Sequence, residues 1–315
     1  MPRIVSRSEI RKDYLQEKYV IIAPRRSDRP STVVCPACRD AAAPKDCVFC
    51  PAHADKAKAL LVRGGADGWH IKVLANKYPA VSKENPRAYG AQEVLIETPD
   101  HEAQFEDLSE ERIDELMWAY AERTQAIAKD RRIKYVIVFK NTAQAGASIL
   151  HSHSQIFATD FVPPHLADKA RKALQYRQRN GNCPYCDILR KEMKGPRRVY
   201  ADEHVVAFTP YASMHHYELW ILPRRHVHDV AELHDAERRS WAKVLKKAVA
   251  FVAKRGLPYN FYFHQIVRGA DLHLYMKLTP RGGVWAGVEI GSGVIINPVA
   301  PEDAAALYRK AFSTR

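Results

Sequence analysis

Hydrophobic residues along this chain gather first in short β-rich runs, then recur at steps of three and four, then gather in β-rich runs again, and the whole succession occurs twice. The first cycle runs from Cys47 to about Ala145 and the second from Cys183 to about Gly269. Each opens on C-x-x-C and a polar turn, CVFCPAHADK and CPYCDILRKE, and passes into a β-rich run that closes in proline, VLANKYPAV and VVAFTPYAS. A second apolar strand ends at Pro-x-(x)-His, VLIETPDH and LWILPRRH, whose histidines are His101 and His226. Seven residues after each histidine stands a leucine, Leu108 and Leu233, which opens LSEER and LHDAER.

There the period becomes helical. Ile113, Leu116, Met117, Tyr120 and Thr124 form one stripe, with Ser109 placed as N-cap and Glu110 and Glu111 at the positive helix end. Trp241, Val244, Leu245 and Ala248 form the other after Asp235. Strands rich in β-branched and aromatic residues follow, KYVIVF and YNFYF, and then histidine-bearing strands, LHSHSQIF and LHLYMKLTP. The pattern predicts an α+β protein of two tandem strand-strand-helix-strand-strand units with mostly antiparallel sheet. The units span 1–165 and 166–315 and are joined by a helix around Leu166 to Arg179.

Composition narrows the class. A chain of 315 residues that is 46% hydrophobic and 27% charged is ordinary globular protein, not collagen-like, disordered or membrane-embedded. Its apolar runs, such as Tyr135–Phe139, fall far short of the ~20 residues needed to span a bilayer. Residues 1–18 alternate charged and apolar positions without the apolar core of a secretory signal, so a cytoplasmic location is expected. The net charge of +13 favours anionic partners. Because the basic residues lie in short dispersed pairs, a phosphate-bearing small molecule explains them as well as nucleic acid does, and a solvated basic surface with no specific partner is the other reading of the charge. No run interleaves aromatic and basic residues as a nucleic-acid surface needs. A zinc-bearing nucleic-acid binder is the non-enzymatic alternative.

His151-Ser152-His153-Ser154-Gln155 carries the most specific chemistry. In a strand, His151, His153 and Gln155 share one face and the two serines the other. The small-residue turn just upstream, Ala145-Gly146-Ala147-Ser148, lets backbone N–H groups approach an anion. An anion cradle beside imidazoles points to phosphoryl or nucleotidyl chemistry, with a neutral imidazole as nucleophile and the amide of Gln155 donating to a non-bridging oxygen.

The six cysteines fall in three C-x-x-C pairs, Cys35/Cys38, Cys47/Cys50 and Cys183/Cys186. In a reducing compartment such pairs are metal ligands or redox centres more often than structural disulfides. The repeat aligns Cys47, Cys50, His101 and His151 with Cys183, Cys186, His226 and His273, two closed sets of two thiolates and two imidazoles suited to structural zinc. The rival for the first pair is a four-cysteine knuckle with Cys35 and Cys38, and for His226 a solvated surface position. Where the first unit has His151-x-His153-x-Gln155 the second has His273-x-Tyr275-x-Lys277, so the ligand position persists and the nucleophile position does not. One active centre per chain is expected.

These residues resemble the galactose-1-phosphate uridylyltransferases of the histidine-triad superfamily, over about Tyr19 to Ala311. Arg26 and Arg29 stand where the family's R-x-x-R-P segment approaches the nucleotide, and Asn76-Lys77-Tyr78-Pro79 is similar to its nucleoside-binding segment. Asn141, Ser148 and Gln155 match phosphate-contacting positions, with Gly146 and Ala147 in the adjoining turn, and His153 matches the histidine that becomes nucleotidylated. Glu289, in AGVEIG, matches a position that holds sugar hydroxyls and serves the partner subunit's active site, which implies a homodimer. The first Cys2His2 set matches the family's zinc site and the second resembles that of single-domain histidine-triad proteins. The resemblance implies ping-pong exchange of a uridylyl group between a UDP-sugar and a sugar 1-phosphate through His153. The alternative is an adenylyl-transferring phosphorylase acting on ADP-glucose or a dinucleoside polyphosphate.

Overall fold

The computed structural model describes residues 8–24, 26, 47–65, 68–269 and 272–313. Strands β1 (Glu9–Lys12) and β2 (Tyr19–Ile22) pair at the start of the chain, and a short helix α1 (Pro51–Ala54) follows the first described cysteine pair. The first unit then contains β3 (Ala59–Gly65), β4 (Gly68–Ala75), β5 (Gly90–Ile96), α2 (Glu110–Ala128), β6 (Tyr135–Asn141) and β7 (His153–Thr159). Helix α3 (Pro164–Asn180) connects it to the second unit. There α4 (Pro184–Glu192), β8 (Arg198–Ala201), β9 (Val205–Phe208), β10 (Leu219–Pro223), α5 (Asp235–Ala253), β11 (Tyr259–His264) and β12 (Tyr275–Pro280) repeat the list. The chain closes with α6 (Gly287–Ser292), β13 (Ile295–Asn297) and α7 (Pro301–Ser313).

Ten strands form one antiparallel sheet in the order β3-β4-β5-β7-β6-β11-β12-β10-β9-β8. Read outward from the β6–β11 junction, the two halves have the same order, and Asn141 stands opposite Asn260 where they meet. The repeat in the sequence is therefore an approximate two-fold in the sheet. A smaller sheet pairs β13 parallel to β2, bringing the C-terminal segment to the N-terminal hairpin.

The helical stripes predicted from spacing face this sheet. Ile113, Leu116, Met117 and Tyr120 of α2 pack on Leu95, Val136, Val138, Ile156 and Ala158, and Trp241, Val244, Leu245 and Ala248 of α5 continue the same core. Each large apolar side chain buried there contributes ~1.5–3 kcal/mol. Ser109 caps α2 by accepting from Arg112 N (3.2 Å), while α5 starts with Glu237 accepting from His234 N (2.8 Å).

Each unit has one more strand than the pattern predicts. β3 is exposed along most of its length and β8 has four residues, so neither carries the alternation that burial on one face imposes. Among the described residues no helix is long and apolar enough to cross a membrane.

Candidate active site and metal centres

The face of the sheet away from α2 and α5 carries the chemistry. His151 precedes β7, and His153 and Gln155 follow on the same side of it. Opposite His153 on β5 is Ile96, and opposite Gln155 is Val94; both belong to a small cluster with Cys47, Phe49 and Leu74. His153 is 6% exposed, with the Phe49 ring 5.0 Å from its own. Its Nδ1–H donates to the His151 carbonyl (2.8 Å), which fixes the tautomer and leaves Nε2 as the basic nitrogen. Burial pushes its pKa below the usual histidine range, so the imidazole stays neutral and nucleophilic near pH 7. Gln92 Nε2 donates to Gln155 Oε1 (3.2 Å) and Gln92 Oε1 accepts from Ala80 N (2.9 Å), tethering the Asn76–Pro79 loop to the strand.

Between β6 and β7 a tight turn at Ala143–Ala145 ends on Gly146, whose φ of 104° is left-handed and suits glycine. The Gly146 and Ala147 N–H groups, expected from the sequence to approach an anion, instead donate to the Ala143 and Thr142 carbonyls within the turn. Asn260 of the second unit, not anticipated from sequence, donates from Nδ2 to Asn141 Oδ1 (2.7 Å) and to the Ala145 carbonyl (2.7 Å). The Asn141 side chain is thereby oriented with its NH2 end directed away from that contact. The register of β11 on β6 creates this pairing, and no local pattern announces it.

The other candidates sit further out. Asn76 Oδ1 accepts from Tyr78 N (2.8 Å), shaping the loop after β4, and Lys77 is exposed with its Nζ 5.5 Å from the Tyr78 ring centroid. Arg26 is exposed; Arg29, Cys35 and Cys38 lie outside the described residues. The Glu289 carboxylate accepts from Ala286 N at the start of α6 (3.0 Å), with Arg26 in its electrostatic surroundings. Among the described residues no hydrogen bond or ion pair joins Glu289 to β7.

Both Cys2His2 sets converge. In each, the four donor atoms lie within 4.8 Å of one another, and each set could hold a metal ion. In the first, His151 Nδ1 is 3.7 Å from Cys47 Sγ and 3.6 Å from Cys50 Sγ, and His101 Nδ1 is 3.4 Å from Cys50 Sγ. In the second, His226 and His273 Nδ1 each lie 3.5 Å from Cys186 Sγ. The neighbouring Cys186 thiol, with the two imidazoles, holds Cys183 far below its ordinary pKa, so this set favours a thiolate. His151 Nε2–H donates to the Thr98 carbonyl (2.8 Å) and His273 Nε2–H to the Pro223 carbonyl (3.0 Å), fixing both tautomers with Nδ1 toward the sulfurs.

The reverse face of β7 holds residues that the sequence did not single out as functional. Glu97 and Lys140, both almost fully buried, pair at 2.6 Å and bind the hydroxyls of Ser152 and Ser154. In the second unit the place of His153 is closed. Tyr275 is fully buried, accepts a hydrogen bond from Lys169 Nζ of α3 (2.6 Å), and stacks against Tyr185, Trp220 and His264.

The family profile described as galactose-1-phosphate uridyl transferase, N-terminal domain, matches residues 75–163. The ADP-glucose phosphorylase of Arabidopsis thaliana is 30% identical over 97% of this chain and 93% of its own. The galactose-1-phosphate uridylyltransferase of Thermotoga maritima is 28% identical over 96% of this chain and 98% of its own. Among solved structures, the Arabidopsis ADP-glucose phosphorylase with bound ADP-glucose superposes with a TM-score of 0.85 at 30% identity, covering 97% of this chain and 99% of that one. A structure described as uridylyltransferase gives 0.75 at 26% identity, covering 96% and 98%.

Proposed function

The chain belongs to the galactose-1-phosphate uridylyltransferase family of nucleotidyltransferases, and from that premise we propose that it exchanges a uridylyl group between a UDP-sugar and a sugar 1-phosphate through His153. The observation that carries this reading is the His153 imidazole, buried, neutral and tied through Nδ1 so that only Nε2 is left to react. Nε2 attacks the α-phosphorus, the bond to the bridging oxygen breaks, and the sugar 1-phosphate departs with the electron pair. The positive charge that develops on the ring is stabilised by the His151 carbonyl at Nδ1–H. A second sugar 1-phosphate then attacks the same phosphorus, and the N–P electrons return to Nε2. In this reading Gln155 and Ser148 donate to the non-bridging oxygens, Asn141 joins them, and Arg26, Arg29, Asn76 and Lys77 contact the nucleotide.

A second reading, adenylyl transfer from ADP-glucose with phosphate or a sugar phosphate as acceptor, is supported by the Arabidopsis phosphorylase, which is similar over nearly all of both chains. Mass spectrometry after incubation with UDP-glucose and, separately, ADP-glucose distinguishes them. A uridylyl adduct on His153 supports the first reading, an adenylyl adduct alone supports the second, and no adduct from either overturns both.

Two structural zinc ions per chain fit the donor sets. Sulfur at ~2.3 Å and nitrogen at ~2.0–2.1 Å from a tetrahedral zinc stand about 3.6 Å apart, the spacing seen between thiols and imidazoles here. Zinc would hold Cys47, Cys50, His101 and His151 in one set and Cys183, Cys186, His226 and His273 in the other, with no open position for substrate. The chain acts in this reading as a homodimer. Val284, Val288 and Ile290 around Glu289 are exposed apolar side chains, as a loop reaching into a second copy requires. Glu289→Ala is accordingly expected to slow transfer to the acceptor sugar 1-phosphate at least tenfold while leaving formation of the nucleotidyl adduct intact. Quench-flow of the two half-reactions checks it, and an equal loss in both would place Glu289 outside sugar recognition.

A further inference from the structure

Resting on the reading that His153 is the nucleotidylated residue, we propose that Glu97, Lys140, Ser152 and Ser154 form a positioning device for its imidazole, built into the reactive unit and absent from the silent one. The four side chains lie on the side of the sheet opposite His153. Glu97 directly follows Ile96, the β5 partner of His153. Its carboxylate accepts from Ser152 Oγ (2.5 Å), from Ser154 Oγ and from Lys140 Nζ (2.6 Å). Lys140, on β6 at the other side of β7, also donates to Ser152 Oγ (3.0 Å) and to the His153 carbonyl itself (3.2 Å). Tyr120 of α2 lies within hydrogen-bond distance of Ser154 Oγ (2.7 Å). The residues before and after His153 and its own carbonyl are thus bound to both flanking strands, so any slip or rotation of β7 that would displace the imidazole breaks several charge-assisted bonds.

Packing alone does not call for this group. A buried ion pair seldom adds net stability over well-packed apolar residues of similar volume, because desolvation offsets the attraction. The second unit provides the comparison within one molecule. Met276 stands where Ser154 does, Leu274 where Ser152 does, and Phe263, opposite Met276, where Lys140 stands opposite Ser154. Extending the β10–β12 register places Leu222 opposite Tyr275 and Pro223 at the position of Glu97. Phe263, Leu274 and Met276 are fully buried in the core beneath α5. The same sheet, with the same metal-ligand frame, folds around an apolar set where the nucleophile has been replaced by Tyr275. The polar set accompanies the reactive histidine, and holding that histidine on line with a phosphorus atom is what distinguishes the units. Misplacement of a reacting group by about 1 Å can cost a hundredfold in rate.

The test uses the full-length, zinc-loaded protein with whichever donor sugar nucleotide labels the unaltered chain. Ser152→Ala/Ser154→Ala keeps the ion pair and removes the anchors of β7. Lys140→Met/Glu97→Gln removes both charges together, so that neither is left buried and unpaired. Single-turnover nucleotidylation at saturating donor is expected to fall about tenfold or more in each. The donor concentration giving half the maximal rate should stay within about twofold, because the nucleotide contacts are on the other face, and zinc content should be unchanged. Should one pair of substitutions fail to fold, the other decides. If the rate per folded, zinc-loaded molecule is unchanged and only the melting temperature drops, the group is packing and the proposal is overturned. If the unaltered protein forms no adduct with either donor, the nucleotidyl reading itself fails and takes the proposal with it.

Discussion

His153→Gly is expected to abolish the covalent nucleotidyl adduct while the metal content of the folded protein stays that of the unaltered chain. His151 has both ring nitrogens committed, Nε2–H to the Thr98 carbonyl and Nδ1 toward Cys47 and Cys50. His153 has one committed, Nδ1–H to the His151 carbonyl, and among the described residues it belongs to neither Cys2His2 set. The repeat argues for separate roles independently: His273 takes the place of His151 in a set that keeps both cysteines and its second imidazole, while the buried Tyr275 takes the place of His153. A ligand persists with its metal site; a nucleophile is dispensable where no chemistry occurs. The loss should be on the order of 10⁶ in kcat, the scale of deleting a covalent nucleophile, not the ~0.5–1.5 kcal/mol of one hydrogen bond. Glycine is the informative choice because it leaves a space. A nucleoside phosphorimidazolide supplied to the variant should restore the second half-reaction by placing its own imidazole there. Intact-mass measurement after donor incubation checks the first half, and a stable histidine adduct on the variant would show that another residue is the nucleophile.

The sheet's two-fold and its two Cys2His2 sets were legible because each left a local mark. Ser109, Glu110 and the Ile113–Leu116–Met117–Tyr120 stripe mark α2 by capping and period, and C-x-x-C with two later histidines marks each metal set by residue type. The residues not recognised are those whose meaning depends on register between distant strands. Glu97 and Lys140 are single charged residues ending apolar strands, which locally look like positions turned to solvent, yet the pairing of β5, β7 and β6 buries them against each other. Ser152 and Ser154 were placed on the correct face by alternation, but their partners came from elements 55 and 57 residues away. Asn260 reaches Asn141 across 119 residues, through the junction of the two units. The edge strands β3 and β8 escaped for the opposite reason: half-exposed, they carry too little hydrophobic pattern to read.

Removing the two metal sets is expected to have unequal consequences, and the inequality follows from which strand each set anchors. Elemental analysis should find two zinc ions per chain, falling to one in Cys47→Ser and to one in Cys183→Ser. Either loss removes several kilocalories per mole of folding energy, since metal binding to a set that forms only on folding contributes directly to stability. For a chain of this size that corresponds to a fall in melting temperature on the order of 10 °C. Chemistry should then divide the variants. His151, the strand-side ligand of the first set, also supplies the carbonyl that holds His153 Nδ1–H, so freeing His151 loosens the nucleophile's tautomer and position together. Cys47→Ser should therefore lose nucleotidylation in molecules that remain folded. The second set places His273 two residues before Tyr275, a fully buried phenol packed among aromatic rings where the first unit has His153. Cys183→Ser should melt early yet, below its transition, form the His153 adduct at close to the unaltered rate. Equal catalytic loss in both variants at a temperature where both are folded would show that the two halves of the sheet do not hold their metal sets independently of the reactive strand. A zinc content of one in the unaltered protein, lost with Cys47 and indifferent to Cys183, would remove the second site altogether.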